Sequence, residues 1–445
     1  MGSEHPEYRY VIVGNSAGGI GAAEAIREAD SDGSMLIVSD EPYPAYSRPM
    51  ISEYLAGEKE IDDILFRPRG FYAEKRIETL LSKKASALDV ARRILVMEDG
   101  TALCWEHILL ACGGSPIFPR MTGSEKMGVF TFTTLRDADR MSAYLHRVRS
   151  AVVIGGGLIG VSVAEALVKH SVQVTIVEMR DHVLSLMLDE ETSEMEAAAI
   201  RNKGVSIVTG HTVVAINGLP GDSDHVGGVV LDDGTELTCD MVVVAIGVSP
   251  RLELAKSAGI RVNRGILVGH DMQTSHNGVY ACGDVAEAYD FAYGTERLTP
   301  IWPNAYLGGK VAGYNMAGQK ASYPGGTAMN SLKYFHLPIV SAGLVSPVEG
   351  DYEVLSRTQD SVHRKVVLKD GRIVGMVFVL AIENAGIVYG LMRDGVIVSD
   401  FKQKLLDDDF GLASLPYELR QERLKASTVR KIRSYYEPLA TGAAG

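Results

Sequence analysis

Thiols are scarce in this chain: 445 residues contain four cysteines. Cys104, Cys112, Cys239 and Cys282 form no CxxC or CxxxxC pair, which excludes a disulfide framework and a paired-thiol motif. Such sparse cysteines suit a reducing cytosol, where a thiol behaves as a small buried hydrophobe. Long apolar runs are missing too. The nearest, Ile373 to Met392, is interrupted by Glu383 and Asn384 and predicts a strand over Ile373–Leu380 followed by a helix, not a membrane span. Met1 to Glu7 is polar and shows no signal peptide, so a cytoplasmic location is expected. Positive charge is in deficit: 44 Lys and Arg against 56 Asp and Glu give a net charge of −12. That average field repels phosphate and argues against broad nucleic-acid or anionic-membrane binding. The eleven histidines, His107, His170 and His336 among them, show no ligand spacing with cysteine or carboxylate, so no metal site is expected.

Glycine is abundant, 47 residues or about 11% against a norm of about 7%. With 46% apolar residues and no Gly/Ser tract, those glycines point to tight backbone approaches rather than linkers. The length predicts about three domains at roughly 150 residues each. Apolar strand-like runs alternate with helical patterns through the first two thirds. Tyr10–Val13, a glycine turn, a helix over Ile20–Ala29 and Met35–Val38 make one βαβ unit. Ala151–Ile154, a second glycine turn, a helix through Leu167 and Val172–Val177 repeat it. A hairpin follows each unit, around Asp99-Gly100 and Asp233-Gly234. After Pro324-Gly-Gly326 the pattern becomes strand-rich, with Lys333–Phe335, Tyr352–Leu355 and Lys365–Leu368, and helical patterns resume from Asp400.

The turn Gly14-Asn-Ser-Ala-Gly-Gly19 reads GxSxxG, with Ser16 at the middle position and Ala17, Gly18 and Gly19 opening the helix. A dinucleotide pyrophosphate needs such a turn, because its charge rests on the uncapped N–H groups of a helix N-terminus. Asp40, 21 residues after Gly19, with Glu41 beside it, is the expected ribose carboxylate. The second turn, Gly155-Gly156-Gly157-Leu158-Ile159-Gly160, is a full GxGxxG. Glu178 closes the next strand 18 residues later. A carboxylate there accepts from a ribose 2′-OH and repels a 2′-phosphate, which favours NAD(H), although Arg180 stands nearby. A third segment, Gly278-Val-Tyr-Ala-Cys-Gly283-Asp284, delivers Asp284 at a strand end, where it can bind a polyol hydroxyl.

The ordered set GxSxxG, ACGG, GxGxxG, AIG and YACGD resembles the FAD-dependent pyridine-nucleotide oxidoreductases. The segment Asp40-Glu-Pro-Tyr-Pro-Ala-Tyr-Ser-Arg48-Pro49 is similar to the branch with rubredoxin reductase, oxygenase-type ferredoxin reductases and the NADH-binding part of nitrite reductase. The resemblance implies an α/β fold: two Rossmann-like dinucleotide-binding domains of three-layer ββα type plus a C-terminal α+β interface domain. The expected division is 1–118 and 248–325 for FAD, 119–247 for NAD(H) and 326–445 for the interface domain. It implies FAD contacts at Arg48, Pro49, Ala85, Gly283 and Asp284. Ala111 and Gly113 match one crossing turn and Gly247 the other. Ile301-Trp302-Pro-Asn-Ala305 resembles the start of the helix facing the flavin pyrimidine edge, where its dipole stabilises negative charge.

Departures from that pattern shape the functional expectation. Ser47 to Gly57 holds no cysteine, so thiol–disulfide catalysis is not expected, and Cys112 and Cys282 read as packing residues. Oxygenase-type reductases often carry a lysine where Glu53 stands and a glutamate where Ser162 stands; this chain has neither. The resulting expectation is hydride transfer from NADH to FAD and then electron delivery to an iron–sulfur protein or subunit. Alternatives are direct reduction of a small acceptor such as oxygen, peroxide or a disulfide, and a flavin-bearing scaffold or regulatory subunit. The third region implies a homodimer or a place in a larger complex. Arg420, Arg423, Lys425, Arg430, Lys431 and Arg433 form a basic tail that suits either an acidic partner or solvent.

Overall fold

The computed structural model describes residues 5–425. β1 (Glu7–Val13), β2 (Met35–Val38) and β3 (Ala102–Leu110) run parallel, with β1 in the middle. Helix α1 (Ala17–Ala29) links β1 to β2. Side chains alternate across the sheet as the strand period requires. Tyr10 and Ile12 pack with Ile20, Ala23 and Ile26 of α1. Val11 and Val13 face the other way, toward Leu88, Leu95 and Trp105. That second face is covered by the hairpin Ala85–Asp89 and Ile94–Met97, which pairs antiparallel with the start of β3. Val279–Ala281 joins the C-terminal half of β3 in parallel. A short turn, Arg48–Met50, leads into α2 (Ile51–Leu55).

The arrangement then repeats. After α3 (Leu135–Tyr144) come β4 (Ser150–Ile154), α4 (Leu158–Lys169), β5 (Gln173–Glu178), α5 (Glu190–Asn202) and β6 (Met241–Val244). The parallel sheet runs Ser206–Thr209, β5, β4, β6, Val129–Thr131. Val153, Ile176 and Val243 pack with Val161, Ala164 and Leu167 of α4. Val152, Ile154, Val177 and Val242 face Val213, Val226 and Val229 of an antiparallel three-stranded sheet. Gly114–Pro116 and Val248–Pro250 pair antiparallel where the chain crosses between the two parallel sheets. α6 (Trp302–Met316) lies along α1 so closely that a Cβ on Gly309 would come within 2.0 Å of the Gly18 carbonyl oxygen.

The third region is an antiparallel sheet. β7 (Met329–Tyr334) and β8 (Leu337–Gly343) pair, followed across the sheet by Arg372–Val379, Val362–Lys369 and Glu353–Gln359. Ile373–Leu380 was expected as a strand with a helix after it, and Arg372–Val379 and Ala385–Arg393 take those places. Phe335 was expected inside a strand but turns out of it with φ +46°, its N–H held by Glu165 Oε1 at 2.9 Å. Beyond Asp400, short 3-10 turns at Lys402–Leu406 and Leu412–Ser414 precede the helix Tyr417–Lys425. Arg423 of the expected basic tail pairs with Asp394 at 2.7 Å, while Arg430, Lys431 and Arg433 lie outside the described residues. Among the described residues no helix is long and apolar enough to cross a membrane.

Candidate functional site

The first turn sits where three parallel strands end. Gly14 has φ +123°, and a Cβ there would lie 2.1 Å from the Ala111 carbonyl oxygen, so no other residue fits. Gly14 N–H donates to Val38, Ala111 N–H to Val13 and Cys282 N–H to Leu110. Those bonds bring the GxSxxG turn, the Ala111–Gly113 turn and the Gly283-Asp284 segment to one sheet edge. Ser16 is the N-cap residue of α1, without a side-chain capping bond, and the first turn of Ala17, Gly18 and Gly19 holds no acid. Its free N–H groups suit an anion. α6 meets this point from the other side: Ala305 O lies 3.4 Å from the position of a Gly18 Cβ, and Gly283 packs against Ala305. The first turn of α6 also lacks acids, and Trp302 stacks edge-on to Phe66 at 4.9 Å.

Burial pushes the Asp284 carboxyl up, and Arg48 is the positive charge that opposes this. Arg48 is fixed in turn by an ion pair to Glu41 and by a 2.9 Å bond from Nη1 to the Thr133 carbonyl. Tyr46 OH donates to Glu41 at 2.6 Å and accepts from Leu135 N–H. Pro49 presets the short turn after Arg48. Glu41 is thus spoken for by Arg48 and Tyr46. Asp40 pairs with Arg251 at 2.8 Å, and Arg251 Nε also donates to Ser115. Ala85 is half-buried at the start of its strand, just after Lys83, whose N–H donates to Ser39 beside Asp40.

The second turn places its acid directly. Gly155 has φ +107° and packs on the Ala245 carbonyl, and Gly157 is the N-cap residue of α4. Glu178 Oε2 accepts from Gly156 N–H at 2.6 Å, and Oε1 accepts from Arg180 N–H at 2.9 Å. Leu158 and Ile159 are half-buried in the first helical turn, Gly160 packs on the Gly155 carbonyl, and Gly247 has φ +118° in the crossing turn.

Residues 8–309 match the family described as pyridine nucleotide-disulphide oxidoreductase. The chain belongs to that family. It is an FAD- and NAD(H)-dependent oxidoreductase, with Rossmann-like units. Over 86% of its length it is 30% identical to the NADH-dependent phenylglyoxylate dehydrogenase subunit epsilon of Aromatoleum evansii, covering 91% of that protein. Over 82% it is 30% identical to a nitrite reductase [NAD(P)H] of Bacillus subtilis, of which it spans 45%. A ferredoxin reductase of Rhodopseudomonas palustris shares its structure with TM-score 0.80 and 26% identity, covering 89% of this chain and 98% of that one.

In this member of a family named for disulphides, burial disfavours the thiolate at three of the four cysteines. Burial pushes the Cys112 thiol up to about 11 and the Cys239 thiol up to about 12, and drives Cys282 higher still. All four cysteines are free. Three features escaped the sequence reading. Arg251, 211 residues from Asp40, had no local signal. Asp139 accepts from both Tyr43 and Tyr54 at 2.8 Å and ties α3 to the segment around α2. His211 gathers Asp232 and Asp233 on a surface turn, a cluster 21 residues apart in sequence.

Proposed function

We propose that this chain passes reducing equivalents from NADH through FAD to an iron–sulfur protein or subunit. The observation that carries the reading is the pair of glycine turns, each at the ends of parallel strands, combined with thiols that burial keeps protonated. When bound, FAD supplies the change from a two-electron donor to single-electron delivery.

The chain's own residues supply position and charge. Gly14 to Gly19 and the N-terminus of α1 would hold the flavin pyrophosphate, with Arg48 and Asp284 beside the chain that joins it to the ring. The N-terminus of α6, free of acids, would favour negative charge at the flavin's pyrimidine edge. Gly156 to Gly160 would hold the NADH pyrophosphate, and Glu178 its ribose. Tyr43 and Tyr54, both bonded to Asp139, keep the α2 segment and α3 in fixed register, so the two nucleotides would meet at a constant separation. The division at residues 118, 247 and 325 into two dinucleotide units and an interface unit belongs to the same reading.

The likeness to a subunit of a dehydrogenase and to a ferredoxin reductase supports an iron–sulfur acceptor. Anaerobic mixing with NADH tests the reading: the bound flavin bleaches, and an added iron–sulfur protein restores its colour. A flavin that stays oxidised under NADH contradicts it.

A further inference from the structure

The second residue of the first glycine turn carries bonds to two distant parts of the chain. Asn15 Nδ2 donates to the Tyr43 carbonyl at 3.3 Å, and its Oδ1 accepts from Tyr72 OH at 2.9 Å. The same hydroxyl accepts from Ala45 N–H at 2.9 Å. Tyr72 belongs to the helical turn Phe71–Glu74, so one phenol joins that turn, the glycine turn and residues 43–45. Its hydroxyl is used as both donor and acceptor. Residues 41–47 form no helix or strand, so bonds of this kind set the course of their backbone. Phe66 N–H donates to the Ala45 carbonyl at 2.8 Å, and Ser47 N–H donates to the Ile64 carbonyl at 2.7 Å. Tyr43 OH reaches Asp139 of α3 at 2.8 Å. The segment ends at Arg48, whose ion pair with Glu41 closes it into a loop.

This loop is therefore pinned to the glycine turn at Asn15 and Tyr72. We propose that Asn15 and Tyr72 are positioning residues for the flavin: they hold residues 41–48 against the turn, so that Arg48 is in place when FAD arrives and the loop resists its departure. The inference rests on the reading of residues 14–19 as the flavin site. Both residues act through the loop. A loop that loses its pin samples other conformations, and affinity falls by the fraction that stays competent. Each hydrogen bond adds a modest net stabilisation, so losing two predicts about a tenfold weaker hold on FAD. A tyrosine that only braced the fold would lower the unfolding midpoint and leave the hold on FAD unchanged.

The test follows release of FAD from the loaded, full-length protein after dilution, read as recovery of free-flavin fluorescence, with thermal unfolding alongside. The variants are Tyr72→Phe, Asn15→Ala, the two combined, and Tyr8→Phe. Tyr8 OH donates to Glu78 at 2.7 Å in the same sheet, away from the glycine turn, and controls for the loss of a tyrosine hydroxyl. Tyr72→Phe and Asn15→Ala should each release FAD about tenfold faster than wild type, and Tyr8→Phe should stay within about twofold. The double variant should fall well short of the product of the two single effects, because both changes break one pin. If Tyr72→Phe does not fold, Asn15→Ala against Tyr8→Phe decides alone. Release from both single variants within about twofold of wild type overturns the proposal, and so do single effects that multiply in the double variant. A wild type that retains no FAD would instead overturn the underlying reading of residues 14–19.

Discussion

Glu178 accepts the backbone N–H of Gly156 at 2.6 Å, so the acid that closes β5 rests on the glycine turn that opens α4. In the proposed NAD(H) site a ribose hydroxyl would meet a carboxylate already oriented, and a 2′-phosphate would meet its charge. Glu178→Gln removes that charge while keeping the shape. The ratio of kcat/KM for NADH over NADPH should fall at least about tenfold, equivalent to about 1.4 kcal/mol, within the range of a hydrogen bond to a charged group. Steady-state kinetics with both nucleotides checks this, and an unchanged ratio would remove Glu178 from the ribose site.

Gly14→Ala should abolish flavin retention. Its φ of +123° is closed to a side chain, and the new Cβ would sit 2.1 Å from the Ala111 carbonyl. Backbone at β1 or the Ala111 turn must move, at a cost on the order of 3 kcal/mol or more. The flavin-to-protein absorbance ratio of the purified variant, with its thermal unfolding midpoint, reads the effect.

Glu196 gives stability a pH dependence. Burial, with Glu165 nearby, pushes its carboxyl up to about 8 in the folded chain, from 4.5 when unfolded. Between those values the folded state holds a proton the unfolded state has lost, so stability falls as pH rises from about 4.5 to about 8 and levels off above. Glu196→Gln keeps the neutral shape and should remove this slope. Unfolding midpoints across that window should show the variant gaining on the wild type as pH rises, by an amount on the order of a few kcal/mol near pH 8. Parallel curves would show that Glu196 ionises alike in both states.

The two glycine turns and the helices they open were legible in the sequence because each turn is local. Gly14, Gly19, Gly155 and Gly160 lie within six-residue windows, and Glu178 ends the strand that follows. Side-chain pairing across the fold was not. Asp40 reads as a free ribose acid until Arg251 arrives from beyond the second crossing turn. Glu41 reads as its neighbour in role until Arg48 and Tyr46 claim it. Phe335 reads as strand because its turn is set by Glu165, which no local pattern reveals.

Cys112→Ser and Cys282→Ala should each leave flavin reduction by NADH within about twofold of wild type. Their thiols are held protonated by burial, and a thiol does not do the work of a thiolate. Cys282→Ala should also cost about 1 kcal/mol of stability through the small cavity it leaves. Stopped-flow bleaching of the flavin measures the first effect and thermal unfolding the second.

The central claim is that reducing equivalents enter through the flavin alone, with no cysteine pair behind it. Anaerobic titration of the flavin-loaded protein with NADH tests this most directly, because it counts electrons. One equivalent of NADH per flavin should complete the bleaching of the flavin absorbance. A requirement for two equivalents would reveal a second two-electron centre and contradict the account.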